Sequence, residues 1–199
     1  MTPEPKRSPS STSQSEHVPD VVDWRPGGSS AATWTVVGIA MTVLGLPLFA
    51  LPLILRVGPT GGSFRIGLVD VLLVLALTTV LVIVHEGIHG LVMLSFGARP
   101  RFGTVLVGRV MPALYATSEG HHFTRGQYLT VAAAPAVAIS VLGFWACFGP
   151  WGGYLIVPLA FHLGGCVGDG FAGWRVLREP PGTEFEDLRD GIRFHRTRA

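Results

Sequence analysis

Two histidines four residues apart with a glutamate beside the first, His85-Glu86-Gly87-Ile88-His89, carry the strongest chemical signal in the chain. On a helix, positions four apart lie one turn above each other on the same face. Imidazoles placed that way can share one tetrahedral Zn2+ at about 2.0–2.1 Å each. Glu86 can then reach a zinc-activated water without itself binding the metal. The arrangement suits peptide-bond hydrolysis, with Glu86 as general base and then as proton donor to the leaving amine.

A catalytic zinc site needs a third protein ligand and keeps a fourth position open. The candidate is Asp169, a carboxylate inside the apolar stretch Tyr154–Val176, in its run His162–Gly170. Glycines surround it, and Gly164-xxx-Gly168 is a small-xxx-small pattern that lets helices approach closely. His162 stands seven residues before Asp169, on nearly the same helix face. It suits a ligand, a partner behind a ligand, a transition-state donor or a hydrogen-bonded structural histidine. Cys166 reads as a packed small residue, Asp70 as a helix-start carboxylate, and His121-His122 as a solvated loop pair.

These groups sit in a chain poor in charge, 14% of 199 residues against about 25% in an average soluble domain. The charges gather at the ends and in short loops, which is the pattern of an integral membrane protein. Four apolar spans are expected: Trp34–Leu55, kinked by Pro47 and Pro52; Ile66–Phe96; Tyr128–Phe148, interrupted by Pro135; and Tyr154–Val176, with Pro158 near its start. Between the second and third, Val105, Val107, Val110 and Tyr115, punctuated by Gly103, Gly108 and Pro112, suggest a short hairpin over Arg101–Thr117. The expected fold is an all-α membrane protein of about four transmembrane helices with that hairpin-like loop.

Residues 1–30, rich in Ser, Pro and Thr, read as a disordered polar tail and lack the short apolar run of a signal peptide. Residues 31–177 form the expected membrane metalloprotease domain. Residues 178–199 form a polar tail in which Glu184–Arg193 is expected to be a short amphipathic helix. Of the fifteen Lys and Arg residues, only Arg56 and Arg65 fall outside if both termini are cytoplasmic, so the positive-inside rule favours that orientation. The formal charge of +2 comes with no basic stripe or interleaved aromatics, which argues against a nucleic-acid partner. Cys147 and Cys166 are too few for a disulfide framework.

The segment from His85 to Gly90, with Gly168-Asp169 on a later helix, resembles the Putative zincin peptidase family of small prokaryotic membrane proteins. That family is in turn similar to the site-2 intramembrane zinc metalloproteases. Arg125-Gly126-Gln127-Tyr128 followed by Ala133-Ala134-Pro135 resembles the segment such proteins carry between their metal-bearing helices. The resemblance covers roughly residues 66–177. It implies a three-helix catalytic core in a prokaryotic cell membrane, zinc held by His85, His89 and Asp169, Glu86 as base, and a membrane-anchored protein as substrate. The hairpin would match the element along which substrate approaches. Gly168-Asp169-Gly170 stands where the site-2 pattern has Leu-Asp-Gly or Asn-Pro-Asp-Gly, and no PDZ insert is present. The alternatives are a non-catalytic metal-binding membrane protein and a small ion-coupled transporter using Glu86 and Asp169. The lack of an evident inverted repeat counts against the transporter.

Overall fold

The computed structural model describes residues 20–58, 66–107 and 111–196. Its helices are α1 (Gly28–Val57), α2 (Leu68–Ser95), α3 (Arg125–Ala146), α4 (Gly152–Gly165) and α5 (Val167–Leu177). Among the described residues, four stretches are long and apolar enough to cross a bilayer, with α4 and α5 together forming the fourth, Gly152–Leu177. Their outward faces carry Val36, Leu44, Leu72 and Leu142, all exposed. Apolar residues spread this widely over a surface suit contact with lipid better than contact with water.

Local chemistry sets the helix ends. Asp70 accepts from the Gly67 backbone N–H at 2.8 Å and caps the start of α2, as expected for a helix-start carboxylate. Gly97, with φ 82°, ends α2 in the left-handed conformation that glycine adopts without steric cost. At α3, Thr124 and Gln127 form a capping box in which the Gln127 side chain accepts from the Thr124 N–H at 2.9 Å. Pro47 and Pro52 lie within α1, and Pro135 within α3, without ending either helix.

The fourth apolar stretch departs from a single expected helix. It is interrupted at Cys166, so Asp169 falls in the first turn of α5. Gly164, Gly165 and Gly168 make continuous helix unfavourable here, since each glycine costs about 0.8–1.0 kcal/mol relative to alanine.

Small residues also set how α4 meets α1. A Cβ on Gly164 would lie 2.6 Å from the Gly38 carbonyl oxygen and would collide with the Thr42 hydroxyl. A Cβ on Gly45 would lie 3.0 Å from the Ala160 Cα. Gly168, the other half of the expected small-residue pattern, has open space at that position. The close approach therefore runs through Gly38, Gly45, Ala160 and Gly164.

The all-α expectation needs correction, because the structure also contains β-sheet. Strands β1 (Asp20–Trp24), β4 (His122–Phe123), β5 (Glu184–Leu188) and β6 (Gly191–Arg196) form one antiparallel sheet in the order β1-β6-β5-β4. A second, two-stranded sheet pairs β2 (Arg101–Val107) with β3 (Met111–Thr117), with Gly103 opposite Tyr115. The amphipathic helix expected over Glu184–Arg193 is instead the β5–β6 hairpin. Its Phe185, Ile192 and Phe194 alternate with polar residues at the strand period of two, and the two-residue turn Arg189-Asp190 fits a tight hairpin. Of the tail expected to be disordered over residues 1–30, Asp20–Trp24 is a strand paired with β6. Residues 1–19 lie outside the described residues.

The sheet's inner face supplies Phe123, Phe185, Ile192 and Phe194 to a core that also holds Met93 of α2, Tyr128 and Val131 of α3, and Val176 of α5. The sheet thus covers the end of the bundle where α2, α3 and α5 meet. Just after α5, buried Glu179 pairs with Arg175 and with Arg196 of β6 at 2.7 Å. Although burial opposes its charge, these guanidiniums hold its carboxyl below the usual range. Replacing Gly164 with alanine should force α1 and α4 apart and destabilise the bundle by about 1–3 kcal/mol. Unfolding titrations in detergent would check this, and an unchanged midpoint would refute the backbone-contact argument.

Candidate metal centre

His85 and His89 face the same side of α2, one turn apart, as their spacing requires. Asp169 reaches them from the first turn of α5. Its Oδ2 lies 3.2 Å from His85 Nε2, and its Oδ1 lies 3.5 Å from His89 Nε2. The two Nε2 atoms are 3.1 Å apart. Ligands bound at about 2.0–2.1 Å in a tetrahedron are about 3.3–3.4 Å from one another. The observed spacings bracket that value.

Hydrogen bonds fix which nitrogens point inward. His89 Nδ1 lies 2.9 Å from the Val131 carbonyl of α3. A carbonyl only accepts, so Nδ1 carries the proton and Nε2 presents a lone pair. His85 Nδ1 lies 3.1 Å from His162 Nε2. With His85 donating there, its Nε2 also presents a lone pair to the cluster. Two such nitrogens facing a carboxylate form a donor set that suits a divalent cation. His85, His89 and Asp169 would hold it.

His162 thus takes one of the roles open to it from sequence: it orients a candidate ligand from behind. Cys166 packs against the same pair, with its sulfur 3.6 Å from His162 Nε2 and 4.0 Å from His85 Nδ1. Asp70 is far removed and also accepts from the Tyr154 hydroxyl at 2.8 Å. His122, expected in a solvated loop, lies in β4 and contacts Glu184 at 3.0 Å.

Glu86 projects into a cavity of about 190 Å³ that it lines together with His89 and Asp169. The Ala116 backbone of β3 donates to its carboxylate. A Cβ on Gly90 would lie within 3.0 Å of the Phe102 ring, so β2 also sits tightly on α2.

Tyr115, Tyr128 and Asp187 also line this cavity, and the sequence gives none of them a place in the site. The Tyr128 hydroxyl donates to Asp187 Oδ1 at 3.1 Å. Asp187 lies on the β5 face that also carries Phe185, which is why it points inward. Reading Glu184–Arg193 as a helix concealed this, whereas the two-residue alternation would have revealed it. Burial pushes the Asp187 carboxyl up to about 7, against the opposing hydrogen bond from Tyr128.

Removing His162 should leave the donor set intact but free the His85 ring to turn. His162→Ala is therefore expected to weaken metal affinity by about 10–100-fold, read by competition with a chromogenic chelator. Wild-type affinity in that variant would deny His162 an orienting role. A second expectation concerns the metal-free protein. The unfolded chain releases the Asp187 proton near its ordinary 3.8, while the folded chain keeps it to about 7. The folded state binds more protons across that window, so this group's contribution to stability falls as pH rises through it. Melting wild type and Asp187→Asn at about pH 5 and about pH 8 should show a smaller loss in the variant. Equal losses would rule out the buried-carboxyl account.

No curated protein and no solved structure matches the chain. A family model does match, over residues 78–183, more than half of the chain. That stretch contains Glu86, both histidines of the cluster, Asp169 and His162. The chain belongs to the Putative zincin peptidase family.

Proposed function

We propose that the protein is a membrane-embedded zinc endopeptidase of the site-2 type, with His85, His89 and Asp169 as zinc ligands and Glu86 as general base. Family membership supports a zinc metallopeptidase. The observation that carries the finer reading is the convergence of two imidazole nitrogens and one carboxylate, with contacts of 3.1–3.5 Å between them, on helices apolar enough to lie in a bilayer.

When bound, zinc supplies Lewis acidity that polarises a carbonyl and acidifies water. The other parts of the reaction belong to the chain. Glu86 makes no ion pair with the cluster and faces the cavity, so a carboxylate oxygen is free to take the proton of the attacking water. It then returns that proton to the leaving amine nitrogen. The Ala116 N–H holds the carboxylate in place during both transfers. The Val131 carbonyl keeps His89 in one tautomer throughout, and His162 holds the His85 ring in orientation. The sheet above and the apolar helices around the cavity limit water, which strengthens every charge interaction inside.

The substrate we infer is a membrane-anchored protein whose scissile segment reaches the cytoplasmic half of the bilayer. The concentration of arginines in the middle loop and at both ends of the chain supports cytoplasmic termini. In proteoliposomes carrying a membrane-anchored reporter, Glu86→Gln should retain the wild-type zinc content while cleavage falls by at least about 100-fold. Cleavage at the wild-type rate, or loss of zinc with this substitution, would overturn the assignment of Glu86.

A further inference from the structure

The outer face of the four-stranded sheet carries a second group of metal-binding side chains, separate from the membrane cluster. Outward residues alternate along β5 and β6, so Glu184 and Glu186 project to the same side as Arg193 and His195. The register sets Glu184 opposite His195, and His122 of β4 opposite Glu186. Three strands thus bring two imidazoles and two carboxylates to one patch.

The geometry there is close. His122, Glu186 and His195 each offer a ligand atom within 4.8 Å of the other two. His195 Nε2 lies 3.1 Å from Glu186 Oε2, and His122 Nδ1 lies 3.0 Å from Glu184 Oε2. The two imidazole rings stack with centroids 4.1 Å apart. Two imidazoles and two carboxylates are the donor types that a borderline-soft divalent cation takes, and binding it would displace the protons now shared between them.

The neighbouring cation is largely engaged elsewhere. Arg193 binds Asp23 of β1 through Nε at 2.7 Å and Nη2 at 3.1 Å, and only its Nη1 reaches Glu186, at 3.4 Å. Glu186 Oε1 accepts from the Gly120 N–H at 2.7 Å, which holds the carboxylate in position. Glu186 and His195 are mostly buried, while His122 and Glu184 are exposed. The first pair is therefore preset, and the second is free to close on an ion.

We propose that His122, Glu186 and His195, with Glu184 as the fourth group, form a second site for a divalent cation of the zinc class. It would clasp β4, β5 and β6 together. The next residue after Glu186, Asp187, lines the catalytic cavity, and β4 leads directly into α3. An ion here would therefore brace the wall of the membrane site from its aqueous side.

The test counts zinc on the full-length, untagged protein in detergent, loaded with zinc sulfate and gel-filtered before elemental analysis. Wild type should hold about two ions per chain. His85→Ala/His89→Ala should retain one, His122→Ala/His195→Ala should retain one, and the fourfold variant none. His122 is exposed, so His122→Ala alone is the variant least able to disturb folding. It should weaken only the ion that survives in His85→Ala/His89→Ala. A wild type with one ion, unchanged in His122→Ala/His195→Ala, would overturn the proposal. One ion lost with His122 and His195 but kept without His85 and His89 would uphold the sheet site and refute the membrane centre instead.

Discussion

Two imidazole nitrogens that both present lone pairs repel each other, and a carboxylate facing them adds to the need for positive charge. At His85, His89 and Asp169 the three groups meet at hydrogen-bond distances, among helices where an isolated charge costs about 2.5–3.5 kcal/mol on insertion scales. A cation shared by all three would offset that cost for each. Much of the surrounding architecture keeps these atoms convergent.

That demand accounts for features that otherwise look like weaknesses. The interruption at Cys166 gives up helix continuity, yet it begins a new helix whose first turn presents Asp169. The glycines and alanine at the α1–α4 contact surrender side-chain packing but bring those backbones close enough to seat α4, which carries His162 behind His85. The Val131 carbonyl, which only accepts, removes rotational and tautomeric freedom from His89, and His162 Nε2 restrains rotation of the His85 ring. Pre-organisation of this kind limits how far the rings must move when metal binds.

The four-stranded sheet couples the aqueous side to the same centre. Its aromatic inner face packs on the ends of α2, α3 and α5, and Asp187 projects from that face into the cavity lined by Glu86. The chain's two ends contribute neighbouring strands, with β1 against β6. Segments that look peripheral in the sequence therefore form one wall of that cavity.

The sequence by itself was enough to find four apolar stretches, the His85-Glu86-His89 constellation and Asp169. Spacing on a helix and charge inside apolar sequence are local properties, independent of which segments later touch. The helix ends also needed only local capping chemistry at Asp70, Thr124 and Gly97. The orientation of His162 was not legible, because seven residues from Asp169 says nothing about which ring lies across the gap on α2. The two-residue alternation of Phe185, Ile192 and Phe194 with polar residues marks strands rather than a helix, but nothing local names β1 and β4 as the neighbours that complete the sheet. Pairing between segments more than a hundred residues apart, such as β1 with β6, leaves no mark on either segment alone. Only the tertiary structure brought Tyr128 and Asp187 into the cavity, and His122, Glu186 and His195 onto one face.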